Sequence, residues 1–137
     1  MTVPLPPAQT WARLIDLPRW WDGAHSWSGD ARNLRLDPRA GGLWAEVLPG
    51  GGSVEHARVL HADLGRLLRV SGGLGPLQSE PVSAVLTITL KPVPGGTEVA
   101  ARYAVAGALP GGAAAFAAPV DSVITAQFDR LARLNGR

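Results

Sequence analysis

Six clusters of turn-forming residues between positions 37 and 112 constrain this chain more than any other feature. They are Asp37-Pro38-Arg39-Ala40-Gly41-Gly42, Pro49-Gly50-Gly51-Gly52, Ala62-Asp63-Leu64-Gly65, Ser71-Gly72-Gly73-Leu74-Gly75-Pro76, Pro92-Val93-Pro94-Gly95-Gly96 and Leu109-Pro110-Gly111-Gly112. Glycine supplies backbone conformations closed to other residues and proline fixes φ, so such clusters break regular structure at short intervals. The spacing predicts an antiparallel meander, with strands at about 31–36, 43–48, 53–61, 66–71, 82–91 and 97–107. In the fifth, Val82, Ala84, Leu86, Ile88 and Leu90 alternate with Ser83, Thr87 and Thr89, the pattern of a strand with one buried and one wet face.

Two segments carry a helical period instead. Pro6-Pro7 suits a helix start, and Trp11, Leu14 and Ile15 follow at helical spacing before Asp16 and Pro18 end the run. At the other end, Phe116, Val120, Val123, Ile124, Phe128, Leu131 and Leu134 form one stripe, which predicts a long amphipathic helix at 113–134. Pro119 falls either in its first turn or inside it as a kink. The expected architecture is α+β: one or two short helices, a curved antiparallel sheet of six to seven strands, and a long C-terminal helix covering it, in a single domain over 1–137. Strong curvature would leave a trough between sheet and helix.

Composition removes several functions. Without cysteine the chain has no disulfide, thiolate metal site or thiol nucleophile. No apolar run reaches the length of a membrane span, and Met1 to Pro7 lack the features of a signal peptide, so a cytoplasmic location is expected. The pI of 9.9 reflects 12 arginines among 13 basic residues, against a net charge of only +2. The arginines are scattered singly, so no nucleic-acid partner is expected. The glycine pairs match no phosphate loop and Ser26-Trp27-Ser28-Gly29 no nucleophile elbow. No cofactor is expected.

Several stretches resemble the SRPBCC superfamily of helix-grip proteins, which includes START lipid-transfer domains, pollen-allergen-like carriers, aromatic polyketide cyclases and bacterial homologues of the heat-shock ATPase activator. They are Trp11-Ala12-Arg13-Leu14-Ile15-Asp16 with Arg19-Trp20-Trp21, Asp37-Pro38-Arg39-Ala40-Gly41-Gly42-Leu43-Trp44-Ala45-Glu46, Gly72-Gly73-Leu74-Gly75-Pro76-Leu77, and Gly95-Gly96-Thr97 with Tyr103-Ala104-Val105-Ala106-Gly107. The resemblance runs from about residue 6 to 134 and implies a helix-grip fold with a ligand pocket between sheet and C-terminal helix. One departure is the start. The family opens with a full strand, whereas Thr2-Val3-Pro4-Leu5 is interrupted by proline, so that strand is either vestigial or preceded by residues not in this sequence. A missing strand leaves a sheet edge unpaired, which favours a homodimer.

All five tryptophans lie in the first third of the chain. Trp11 belongs to the apolar stripe of its helix. Trp20, Trp21, Trp27 and Trp44 either fasten the short helices to the sheet or, where the family's pocket mouth lies, form an aromatic wall for a flat apolar ligand. Trp44 and Glu46 share one strand face, so Glu46 is either a carboxylate of raised pKa in an apolar pocket or a solvated or arginine-paired surface group. His56 and His61, an odd number apart on one strand, face opposite ways unless a bulge intervenes, and with His25 they make no metal site. His56 enters the pocket beside Arg58 unless the rival face of Glu55, Ala57 and Val59 turns inward. Tyr103 shares a parity with Val99 and Val105 and is either a polar contact in the pocket or a core tyrosine bonded to a backbone carbonyl. Trp20, Trp21, Trp27, Trp44, Glu46, His56 and Tyr103, with Ile124 and Phe128 from the last helix, make the candidate site for a small hydrophobic or aromatic molecule. No catalytic constellation is assigned. The alternatives are a polyketide cyclase-like enzyme, with Glu46 or His56 moving a proton, and a chaperone-cofactor or protein-interaction module.

Overall fold

The structure, a computed structural model, describes residues 1–112 and 114–134. Seven antiparallel strands form one curled sheet in the order β1-β7-β6-β5-β4-β3-β2: β1 Thr2–Val3, β2 Leu34–Leu36, β3 Leu43–Val47, β4 Ser53–Asp63, β5 Leu67–Ser71, β6 Val82–Val93 and β7 Gly96–Gly107. Three helices complete it: α1 Pro7–Leu14, α2 Leu17–Trp20 and α3 Ala114–Arg133. The meander from β2 to β7 follows the turn clusters. Val93 pairs with Gly96, which leaves a two-residue turn in which Gly95 takes φ +88°.

At the start of the chain a short strand is present, the vestigial form weighed above. Thr2 and Val3 pair with Glu98 and Thr97, so a first strand exists but covers only the beginning of β7. Backbone bonds between Met1 and Val99 extend this contact, and Leu5 O accepts from the hydroxyls of Thr97 and Thr10 at 2.7 and 3.2 Å. Gly96 permits the approach, because a Cβ there would overlap the Val3 carbonyl. The segment 31–36 is also only half strand. Asp30 accepts from Arg32 N at 2.9 Å and caps a 3-10 turn over Ala31–Asn33, so pairing begins at Leu34.

Alternation places Ala84, Leu86, Ile88 and Leu90 on the concave face beside Leu68, Val70 and Val99. Trp11, Leu14, Leu17 and Trp20 from the short helices, with Phe128 and Leu131 from α3, close the core against them. Two register shifts interrupt β4, one around His56 and one around Leu60. The first turns both His56 and Ala57 inward, so the two faces weighed for this strand each contribute. The second restores the parity, and His61 remains exposed.

Pro119 lies inside α3, not at its start. The two halves of this helix are held very differently. In the C-terminal half Gln127, Phe128 and Leu131 are buried, Gln127 Oε1 accepts from Asp22 N at 2.9 Å, and Arg130 donates to Trp20 O at 2.8 Å. In the N-terminal half the side chains of Phe116, Val120, Val123 and Ile124 are only partly covered.

Candidate functional site

Two clefts flank the N-terminal half of α3. One, of about 530 Å³, lies toward β7 and is lined by Leu77, Ala101, Tyr103, Val105, Leu109, Phe116 and Ile124, among others. The other, of about 360 Å³, lies toward the tryptophan segment, against Trp21, His25, Trp27, Leu74, Pro76, Val120 and Val123. Val120 and Ile124 are common to both, so the half-anchored helix is their shared wall. Deeper between sheet and helix the space is closed. A gap of only about 10 Å³ remains among Leu14, Trp20, Trp44, Leu86 and Phe128. The trough is therefore filled at its pinned end and open at the other.

The candidate residues divide accordingly. Trp20 is core: its indole donates to Leu14 O at 3.1 Å and its ring packs on Trp21 and Phe128, each at 5.6 Å between centroids. Phe128 is core with it. Trp21 stands edge-on to Trp44 at 5.2 Å and presents its other side to the smaller cleft, which Trp27, half exposed, borders. Tyr103 and Ile124 face the larger cleft. Trp44 and His56 line a notch of about 30 Å³ that shares Trp21, His25, Trp27, Leu74 and Gly75 with the smaller cleft.

Glu46 lines none of these spaces, and neither surface exposure nor a raised pKa describes it. It is 1% exposed and accepts three hydrogen bonds: from Trp27 N at 3.1 Å, Ser28 N at 2.6 Å and His56 Nε2 at 2.8 Å. Burial alone raises a carboxyl pKa, but the bonds from Ser28, His56 and Trp27 outweigh it and hold the group at about 2. The carboxylate is thus a structural clamp that fastens the 27–28 loop to β3 and fixes the ring of His56. Tyr103 has a similar fate. Its hydroxyl accepts from Leu74 N at 2.9 Å and donates to Gly72 O at 2.8 Å, which ties the 72–74 segment over β7, while burial pushes its pKa up. A tyrosine bonded to backbone and a tyrosine at a cleft are here the same residue.

Leu74, Gly75 and Pro76 also border the smaller cleft, although in the sequence they carry only a turn signal. Val120 and Val123 join them from the apolar stripe of α3. Their signal was the length of that stripe, which exceeds what short α1 and α2 can cover. Among the described residues no group of three or more His, Asp or Glu side chains is placed to hold a metal, and no helix is long and apolar enough to cross a membrane.

A curled antiparallel sheet closed by a C-terminal helix, with openings beside that helix, is the helix-grip class. Within it the chain belongs to the polyketide cyclase / dehydrase and lipid transport family, whose model matches residues 1–135. Solved structures of similar fold include proteins from Mesorhizobium loti (20% identity, 97% of this chain and 90% of that one, TM-score 0.66) and Chromobacterium violaceum (17%, 100% and 94%, 0.67). A third, from Rhodobacter sphaeroides, is 26% identical over 96% of this chain and 86% of that one, with a TM-score of 0.61. No curated protein matches the sequence significantly.

Proposed function

We propose that this protein binds a small, mainly hydrophobic molecule of flat or aromatic shape in the clefts beside the N-terminal half of α3. The observation that carries this reading is the division of α3: its C-terminal half is bonded to the Trp20–Asp22 segment, while its N-terminal half leaves apolar walls open on both sides. Exposed apolar concavities of several hundred Å³ are where small ligands gain most from leaving water. Hydrophobic ligand binding is also what the family description suggests. Native mass spectrometry of protein purified from its own cells tests the reading. A released mass of a few hundred daltons on gentle denaturation is expected. An empty protein that also takes up no aromatic probe would sink it.

A second reading, a cyclase-like enzyme, is favoured by the Glu46–His56 pair, since a carboxylate that orients an imidazole is an arrangement suited to proton transfer. In it His56 exchanges the proton through its free nitrogen and Glu46 is a positioning residue. Turnover of an aromatic polyketide that survives His56→Ala would remove this role.

A further inference from the structure

Two of the polar groups singled out near the clefts are already bonded within the protein. The Glu46 carboxylate accepts three bonds and lines no cleft, and the Tyr103 hydroxyl gives its one proton to Gly72 O, so neither has a proton to offer a ligand. Two groups at the notch differ. Trp44 is 5% exposed and its indole N–H is buried without a hydrogen-bond partner. A buried donor left unpaired is costly, and native structures give such a group a partner, water included. His56 directs Nε2 to the Glu46 carboxylate at 2.8 Å, which leaves Nδ1 as the ring nitrogen available to another partner. Because a carboxylate only accepts, Nε2 carries the proton in the neutral imidazole, and Nδ1 presents a lone pair. The two rings lie 6.4 Å apart between centroids, and both line the notch of about 30 Å³.

We infer that this notch is the anchor for a single hydroxyl group on the ligand, whose oxygen accepts from Trp44 Nε1 and whose proton goes to His56 Nδ1. The inference rests on the ligand-cleft reading above and specifies the chemistry of one end of the molecule. The volume fits one water-sized group, so a hydroxyl enters and a bulkier ether or ester does not. The notch shares five of its residues with the 360 Å³ cleft, so a ligand that places its hydroxyl there lays its apolar body against Trp21, Trp27 and Val123. A phenol or an aromatic alcohol has both parts. A carbonyl compound satisfies Trp44 only and leaves the imidazole lone pair unmet.

Calorimetric titration of the whole protein with 2-naphthol and with 2-methoxynaphthalene tests this, since the two share a ring system and differ in the hydroxyl proton. Binding of 2-naphthol about tenfold tighter than of the ether is expected, from one additional buried pair of hydrogen bonds. In Trp44→Phe, which keeps an aromatic ring and loses the N–H, the preference should shrink to near unity while the ether binds as before. In the unsubstituted protein the Trp44 indole proton should move in the nitrogen–proton NMR spectrum on adding 2-naphthol and stay in place with the ether, a readout that does not depend on the variant folding. Equal affinities, a preference that persists in Trp44→Phe, or an unmoved indole proton would overturn the anchor and leave the cleft reading standing. Failure of both probes to bind would remove the cleft reading and the anchor with it.

Discussion

Glu46 illustrates how far one side chain's role depends on its partners. Its strand parity with Trp44 was legible, and so was the choice between a pocket acid and a surface group. The outcome is a buried, ionised clamp, because the backbone N–H groups of Trp27 and Ser28 arrive from a loop eighteen or more positions away in sequence. No local pattern encodes that meeting. The pH dependence follows from its sign. The folded pKa of about 2 lies below the ordinary 4.5, so the clamp contributes its full stability above pH 4.5 and loses it as pH falls toward 2. The magnitude is roughly 3 kcal/mol. Glu46→Gln should therefore be less stable in urea at pH 7 and show a flatter stability profile between pH 4.5 and 2. An unchanged acid slope would mean that Glu46 is not the group responsible.

At the scale of elements, the meander was readable because its punctuation is chemical: glycine, proline and aspartate act locally, whatever surrounds them. Where tertiary contacts intervene, the reading slipped. Asp30 captured residues 31–33 into a turn, and two bulges in β4 let both candidate faces of that strand turn inward in succession. Helix α3 was placed correctly to within a residue or so, yet the unequal holding of its two halves was not visible. Pro119 belongs to that inequality. As a proline inside the helix it donates no bond to the Ala115 carbonyl, in the half that already lacks packing. Pro119→Ala should raise stability by about 1 kcal/mol and the melting temperature by about 3 °C. A fall in melting temperature would show that the proline is needed for the present path of the helix.

For the whole molecule, one edge of the sheet is only partly paired among the described residues. Beyond the two pairs made by β1, the outer edge of β7 from residue 100 to 107 has no strand partner among the described residues, and it carries mostly small side chains with one charge, Arg102. Open backbone donors and acceptors of this kind pair readily with another strand. We propose that two copies associate along this edge. Light scattering should give twice the 14.3 kDa chain mass at micromolar concentration, and a monomer mass there would exclude it. The sequence by itself determined the order of the six meander strands and the flanking helices, the inward face of β6 and the stripe of α3, because period and turn chemistry act over a few residues. Only the tertiary structure decided which tryptophans fill the core and which border a cleft, that Glu46 and Tyr103 bond to backbone, and that the Trp44 indole is left unpaired beside His56. Those outcomes depend on groups far apart in the chain arriving within hydrogen-bond range, and the curl of the sheet with the one-sided anchoring of α3 brings them there.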